Sequence, residues 1–145
     1  MNISFICTGN TCRSPMAEGL MRKLLQDAGR TDITVRSAGA AAFPGDCASE
    51  NAILAAAKLG ADISAHRSSR LSAQLLDTTD LAVCMTAQHQ AAVLQYAPNA
   101  KTTVLGGGIP DPYGQDLDAY RACAAAILRG VEALYHEINE KDDAQ

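Results

Sequence analysis

The chain has 145 residues, 48% of them hydrophobic and 19% charged; this is one domain's length, apolar enough to bury an interior and unlike a disordered segment. Sixteen acidic against twelve basic residues leave a formal charge of −4, and no lysine or arginine run occurs, which argues against nucleic acid as a partner. No apolar stretch approaches the ~18 residues needed to span a bilayer, and MNISFICTGN lacks a basic start or a cleavage site, so a cytoplasmic protein with no membrane association is expected.

Ile3 to Cys7 is a short apolar run that reads as a strand, and Thr8-Gly9-Asn10-Thr11 after it is a turn. From Ser14 the pattern becomes helical: Pro15 suits a first turn, and Met16, Leu20, Leu24 and Leu25 recur at helical spacing up to Gly29. Ile33 to Ser37 predicts a second strand, and Cys47 to Leu59 a second helix with Gly60 as its stop. Leu81 to Met85 is continuously apolar, as a strand covered on both faces should be. A helix around Gln88 to Tyr96 ends at Pro98, and Thr102 to Leu105 supplies a fourth strand. Gly106 to Gly114 is loop, Leu117 to about Ile138 is the last helix, and the charged tail after Glu140 is expected to fray. The final helix should bury Tyr120, Ile127, Leu128, Val131, Leu134 and Ile138. Strands alternating with helices imply right-handed crossovers: a single α/β domain over residues 1–145, with a parallel sheet covered by helices on both faces. In such sheets ligands bind beyond the carboxyl ends of the strands, which selects the loop CTGNTCRS.

Five cysteines at irregular spacing, none in a CxxC pair, point to catalytic or redox thiols and away from a disulfide framework. Cys7 closes the first strand, and Arg13 stands at the mouth of the first helix, in the pattern CxxxxxR. Between them the backbone N–H groups and the helix N-terminus can form a hollow for a tetrahedral oxyanion, with Arg13 gripping two of its oxygens. The same field should favour the Cys7 thiolate, a nucleophile for phosphorus, with Ser14 able to donate to the sulfur. Gly9 permits close backbone approach and Asn10 tolerates left-handed backbone. The spacing alone is weak, since Cys123 and Arg129 repeat it inside CAAAILR. There continuous helix sets the two side chains ~9 Å apart along the axis, and no cradle can form. A thiolate displacing a phosphoryl group needs an acid for the departing atom. Asp111, in IPDPYG after the last strand, reaches the same sheet edge on a loop stiffened by two prolines. His89 and His136 lack companions at metal-ligand spacing, so neither a metal nor any other cofactor is expected.

CTGNTCRSPMAE, the SAG at Ser37 to Gly39, DLAVCMT at Asp80 to Thr86 and the late DPYG resemble the low-molecular-weight protein tyrosine phosphatase family over nearly the whole chain. The resemblance implies a four-stranded parallel sheet, metal-free chemistry and a cysteinyl-phosphate intermediate on phosphorylated protein substrates. It makes Cys7 the nucleophile, Arg13 the phosphate clamp, Ser14 the thiolate stabiliser and Asn10 the loop-shaping residue. Asp111 becomes general acid, then base. Thr8, Gly9, Thr11 and Cys12 complete the phosphate loop, while Ser37 and His66 support it, His66 through the loop Asn and Ser. A monomer is expected.

Thr11 bears on the substrate. Tyrosine-directed members usually carry Ile or Leu there, whereas the branch resembling bacterial protein arginine phosphatases carries Thr in the same string. A threonine hydroxyl leaves room for a guanidinium and can accept its hydrogen bond. Members acting on phosphotyrosine often have two aromatic residues after the DP, but here Tyr113 is followed by Gly114. With no Trp, an aromatic slot would have to come from Tyr113 and Phe43, which could equally flank an arginine stem. Phosphoarginine is therefore the expected substrate, with phosphotyrosine the alternative. Two other readings share the cradle. An arsenate reductase would need a cysteine about seven residues after Cys84, where Ala91 stands, and a mere oxyanion binder would need neither nucleophile nor acid. Cys12, in the same loop as Cys7, could trap an oxidised nucleophile as a reversible disulfide. Cys47, Cys84 and Cys123 read as packing residues.

Overall fold

The computed structural model describes residues 1–143. Four parallel strands, β1 (Asn2–Cys7), β2 (Thr34–Gly39), β3 (Leu81–Cys84) and β4 (Thr102–Val104), form one sheet in the order β2-β1-β3-β4. Residue alternation along β1 builds both sides of the molecule. Ile3, Phe5 and Cys7 face a core shared with α1 (Arg13–Asp27), α2 (Glu50–Lys58) and α5 (Leu117–Asp143), whereas Ile6 joins Ala38, Ala82, Cys84 and Val93 on the opposite face. That second face is covered by α3 (Ala73–Asp77) and α4 (Ala87–Tyr96). Near-complete burial of β1 and β3 explains their largely apolar sequences, with Ser4 of β1 the one buried polar residue in the two strands. No helix among the described residues is long and apolar enough to cross a membrane.

Several boundaries differ from the sequence reading. β2 extends to Gly39, paired with Cys7, which carries the SAG segment alongside the loop after β1. α2 starts at Glu50, later than expected, because the Ser49 side chain accepts the Ala52 N–H and caps the helix there. Cys47 consequently lies outside the helix, exposed, in an isolated antiparallel bridge with Arg67, and its thiol accepts from Arg67 Nη1 at 3.0 Å. It is not the packing residue expected; Cys84 and Cys123 are buried as such residues should be. α3 was not foreseen, being only five residues long and capped by Ser72. A 3₁₀ turn at Leu105–Gly107 follows β4, inside the glycine run read as loop. α5 continues through Asp143, so the fraying expected after Glu140 is not seen there; of that tail, residues 144 and 145 lie outside the described residues.

Candidate active site

Three strand-to-helix connections meet at one sheet edge: the turn Thr8–Cys12 between β1 and α1, the entry to α4 after β3, and the segment carrying Asp111 after β4. The first turn is shaped by Asn10, which holds φ of +57° and is the one non-glycine residue with positive φ among the described residues. Asparagine accepts this left-handed conformation more readily than most residues, and four contacts fix it here. Its Nδ2 donates to Ser14 Oγ (2.7 Å) and Ser37 Oγ (2.9 Å), and its Oδ1 accepts from the Ser69 amide (2.8 Å). His66 Nε2 donates to the Asn10 carbonyl at 2.8 Å. Ser37 passes the chain on by donating to Glu18 Oε1 at 2.6 Å, and Glu18 pairs with Arg22.

The loop's carbonyls are engaged outward. Cys7, Thr8 and Thr11 accept from the amides of Ala40 (2.8 Å), Ala41 (2.9 Å) and Ser49 (2.9 Å). Facing the other way, the Asn10 amide points to Cys7 Sγ at 3.3 Å. Gly39 permits this closeness, since a Cβ there would lie 2.5 Å from the Thr8 carbonyl and 2.9 Å from the Asn10 nitrogen, both backbone atoms.

Cys7 is 2% exposed at the end of β1, with Ser14 Oγ 2.8 Å from its sulfur. Burial pushes the thiol above its usual pKa; the Ser14 hydroxyl, the Ser14 and Asn10 amides and the Arg13 guanidinium each pull it down. The expectation of a lowered pKa is thus not met by the net balance, and ionisation of this sulfur rests on those donors. Arg13, itself buried, donates from Nη1 to the Ile109 carbonyl (3.0 Å) and from Nη2 to Thr8 Oγ1 (3.4 Å), and Nη2 lies 3.4 Å from Asp111 Oδ2. The Asp111 carboxylate is half-exposed, and its Oδ1 accepts from the Tyr113 amide in a tight turn.

These groups surround an open cavity of about 220 Å³ whose wall contains Cys7, Thr8, Gly9, Thr11, Cys12, Arg13, Asp111 and Tyr113. Asn10, Ser14, Ser37 and His66 stand behind it as the loop's supports. Phe43 is not brought into it. That ring is 77% exposed on the turn after β2, where its backbone carbonyl accepts the Ser68 hydroxyl, so the expected second aromatic wall is absent from the cavity lining. Cys12 Sγ lies 3.4 Å from both Ser49 Oγ and the buried Tyr120 hydroxyl, which burial and this thiol push up to about 12. Cys123 and Arg129 both lie within α5, as expected for the repeated spacing.

The sequence reading missed two residues. Glu18 carries no signal for a site role in the sequence, and its tie to Ser37 depends on β2 lying beside α1. His89 was weighed only as a metal ligand, yet it is 5% exposed and its Nε2 lies 2.9 Å from Thr8 Oγ1. Its place in the first turn of a helix that follows a strand was the available signal, because that is where the ligand edge of the sheet lies.

Several known proteins similar to this chain in sequence and fold are phosphatases by name. A Bacillus subtilis protein named protein-arginine-phosphatase is 37% identical over 130 residues, covering 83% of this chain and 85% of that one. An Acinetobacter johnsonii low molecular weight protein-tyrosine-phosphatase is also 37% identical, over 121 residues, 79% of this chain and 82% of its own. A solved YwlE arginine phosphatase, a C7S mutant with a phosphorylated active site serine, superposes with a TM-score of 0.92 at 30% identity, each chain covered in full. The family model described as low molecular weight phosphotyrosine protein phosphatase matches residues 2–144. The chain belongs to that low molecular weight phosphatase family.

Proposed function

We propose that the protein is a cysteine-dependent protein phosphatase that prefers phosphoarginine. The observation that carries the preference is the cavity wall: Thr11 lines it where a larger apolar residue would narrow the slot, and Tyr113 is the single aromatic residue in that lining. A planar phenol gains most between two aromatic faces, whereas a guanidinium gains from one face and from a hydroxyl that accepts its N–H. Phosphotyrosine is the second reading, favoured by the A. johnsonii relative's name and by Tyr113 at the rim.

In the proposed reaction the phosphoryl oxygens occupy the hollow of the loop, held by its backbone amides, the helix N-terminus and the Arg13 fork. Cys7 Sγ attacks phosphorus in line. An S–P bond forms as the P–N bond of phosphoarginine breaks, or the P–O bond of phosphotyrosine. Asp111, carrying a proton, delivers it to the departing nitrogen or oxygen. In the resting site Asp111 shares Arg13 Nη2 with Thr8, and an incoming dianion takes over that guanidinium, freeing the carboxyl for the leaving group. Asp111 then accepts a proton from water, the oxygen attacks phosphorus, and the S–P bond breaks to return the thiolate and release phosphate. The phosphorylated serine of the solved C7S relative supports transfer to the residue in the nucleophile's place. Ser14 stabilises the thiolate; Asn10, Ser37 and His66 hold the loop in shape. The whole chain acts as one domain, a monomer in the cytoplasm, without a cofactor.

The test compares kcat/KM on phosphoarginyl and phosphotyrosyl peptides for the wild type and Thr11→Ile. Phosphoarginine should be preferred, and Thr11→Ile should move the ratio at least about tenfold toward phosphotyrosine, the scale of one or two methyl groups in a tight pocket. A wild type that prefers phosphotyrosine overturns the preference, and activity that survives Cys7→Ser overturns the cysteine mechanism.

A further inference from the structure

His89 is the one buried histidine among the described residues, and nothing in the proposed reaction uses it. It sits in the first turn of α4, where Thr86 caps the helix by accepting the His89 amide at 3.4 Å. The imidazole is held at both nitrogens. Nδ1 lies 3.0 Å from Thr86 Oγ1 and Nε2 lies 2.9 Å from Thr8 Oγ1. Burial and the neighbouring Arg13 cation push the ring down to about 4, against a weaker opposing pull from Asp111. The ring is therefore neutral and carries one proton.

The threonines decide which nitrogen holds it. Thr86 Oγ1 accepts the backbone amide and can give its own hydroxyl proton to Nδ1; in that arrangement the ring proton lies on Nε2, directed at Thr8. Thr8 Oγ1 then accepts from His89 Nε2 and from Arg13 Nη2 at 3.4 Å. With both lone pairs engaged, its hydroxyl proton turns toward the cavity that Thr8 lines. One side of the Arg13 guanidinium is thus set by the Ile109 carbonyl, which lies on the chain leaving the amide-to-Met85 contact, and the other by Thr8. The Ile109 acceptor is a backbone carbonyl that does not depend on a neighbouring side chain's rotation, whereas the Thr8 contact depends on how that hydroxyl is turned.

We propose that His89 is a positioning residue of the phosphatase site: through Thr86 and Thr8 it orients the Thr8 hydroxyl, which holds Arg13 in plane and donates to the bound phosphoryl group. The inference rests on Arg13 being the phosphate clamp and is independent of which phosphoamino acid is the substrate. Losing the Nε2 donor leaves the Thr8 hydroxyl free to turn and weakens the hold on a dianion in both ground and transition state.

The test uses the full chain, inorganic phosphate as a competitive inhibitor, and an aryl phosphate as substrate. His89→Asn keeps a polar atom near the Nδ1 position but cannot reach Thr8, whereas His89→Gln places an amide N–H near the Nε2 position. His89→Asn should raise the phosphate inhibition constant and lower kcat/KM by about tenfold each, the scale of one hydrogen bond to a charged assembly. His89→Gln should recover most of both. In a Thr8→Val background, His89→Asn should add less than about twofold, because the effect passes through that hydroxyl. The inference is overturned if His89→Asn stays within about twofold of wild type, if His89→Gln is as impaired as His89→Asn, or if the two changes multiply. Should His89→Asn fail to fold, His89→Gln with near-normal phosphate inhibition together with a tenfold loss in Thr8→Val carries the same comparison, and any other result refutes it. Arg13→Lys separates the premises: unchanged phosphate inhibition there removes the clamp reading itself, while a loss there with an indifferent His89→Asn removes only the role of His89.

Discussion

Replacing Ser14 by alanine deletes the hydroxyl 2.8 Å from Cys7 Sγ and little else. Asn10 Nδ2 retains Ser37 Oγ at 2.9 Å as an acceptor, and Asn10 Oδ1 retains the Ser69 amide, so the loop keeps its shape. The change in unfolding free energy should therefore stay within about 1 kcal/mol. The sulfur fares differently, because burial already pushes its pKa upward and Ser14 is the strongest of the groups pulling it down. A hydrogen bond to a charged group contributes about 1.5–3 kcal/mol, and 1.36 kcal/mol corresponds to one pH unit of titration. The sign follows: the thiolate loses a donor, the pKa rises, and at any pH below it the ionised fraction falls. The rate of iodoacetamide alkylation of Cys7 against pH should move its midpoint upward by about one to two units. At fixed pH below that midpoint, kcat/KM should fall about 10- to 100-fold, with part of the loss recovered as the pH is raised. A midpoint that stays in place or moves downward, in a variant of unchanged stability, would refute the view that Ser14 sustains the thiolate.

Gly39→Ala puts a methyl group 2.5 Å from the Thr8 carbonyl and 2.9 Å from the Asn10 nitrogen, and backbone atoms cannot swing aside. Urea unfolding should show a loss of about 1–3 kcal/mol, with activity falling further than stability because the loop itself is displaced. His89 should make the fold acid-sensitive. Its pKa is about 4 against the usual 6.5, so the unfolded chain binds the extra proton between these values. The stability it confers is present in full above pH 6.5 and is lost as pH falls toward 4, by roughly 3 kcal/mol in all; His89→Gln should flatten that part of the profile. Cys12→Ser should remove the recovery of activity by thiol after peroxide treatment, if Cys12 shields an oxidised Cys7 as a disulfide; equal recovery in both proteins would discard that role.

Much of the site was legible because its chemistry is local in sequence. Cys7, Asn10, Arg13 and Ser14 lie within one strand-turn-helix, and glycine and proline marked its limits. Asp111 was legible because a parallel sheet carries every strand's carboxyl end to one edge. What escaped depends on lateral contact between segments distant in the chain. The tie from Glu18 to Ser37 and the reach of His89 to Thr8 exist only once β2 and α4 are set beside β1. Phe43 was misread for a related reason: an aromatic residue in a loop next to the site can as easily face outward, and only the path of the turn after β2 decides. Cys47 was misplaced because the alanine-rich run after it reads as helix from either end, and the cap at Ser49 sets the true start. α3 is too short for periodicity to register.

The ties on Asn10 come from three separate stretches of chain, at Ser14, at Ser37 and at His66 to Ser69, and they are in place in the folded protein by itself. Ordering the anion hollow is therefore settled during folding and adds no entropy penalty to each encounter. A receptacle rigid in advance treats a phosphoryl group and liberated orthophosphate much alike, so competition from its own product is built into this design, and turnover at high orthophosphate is governed by how quickly the hollow empties.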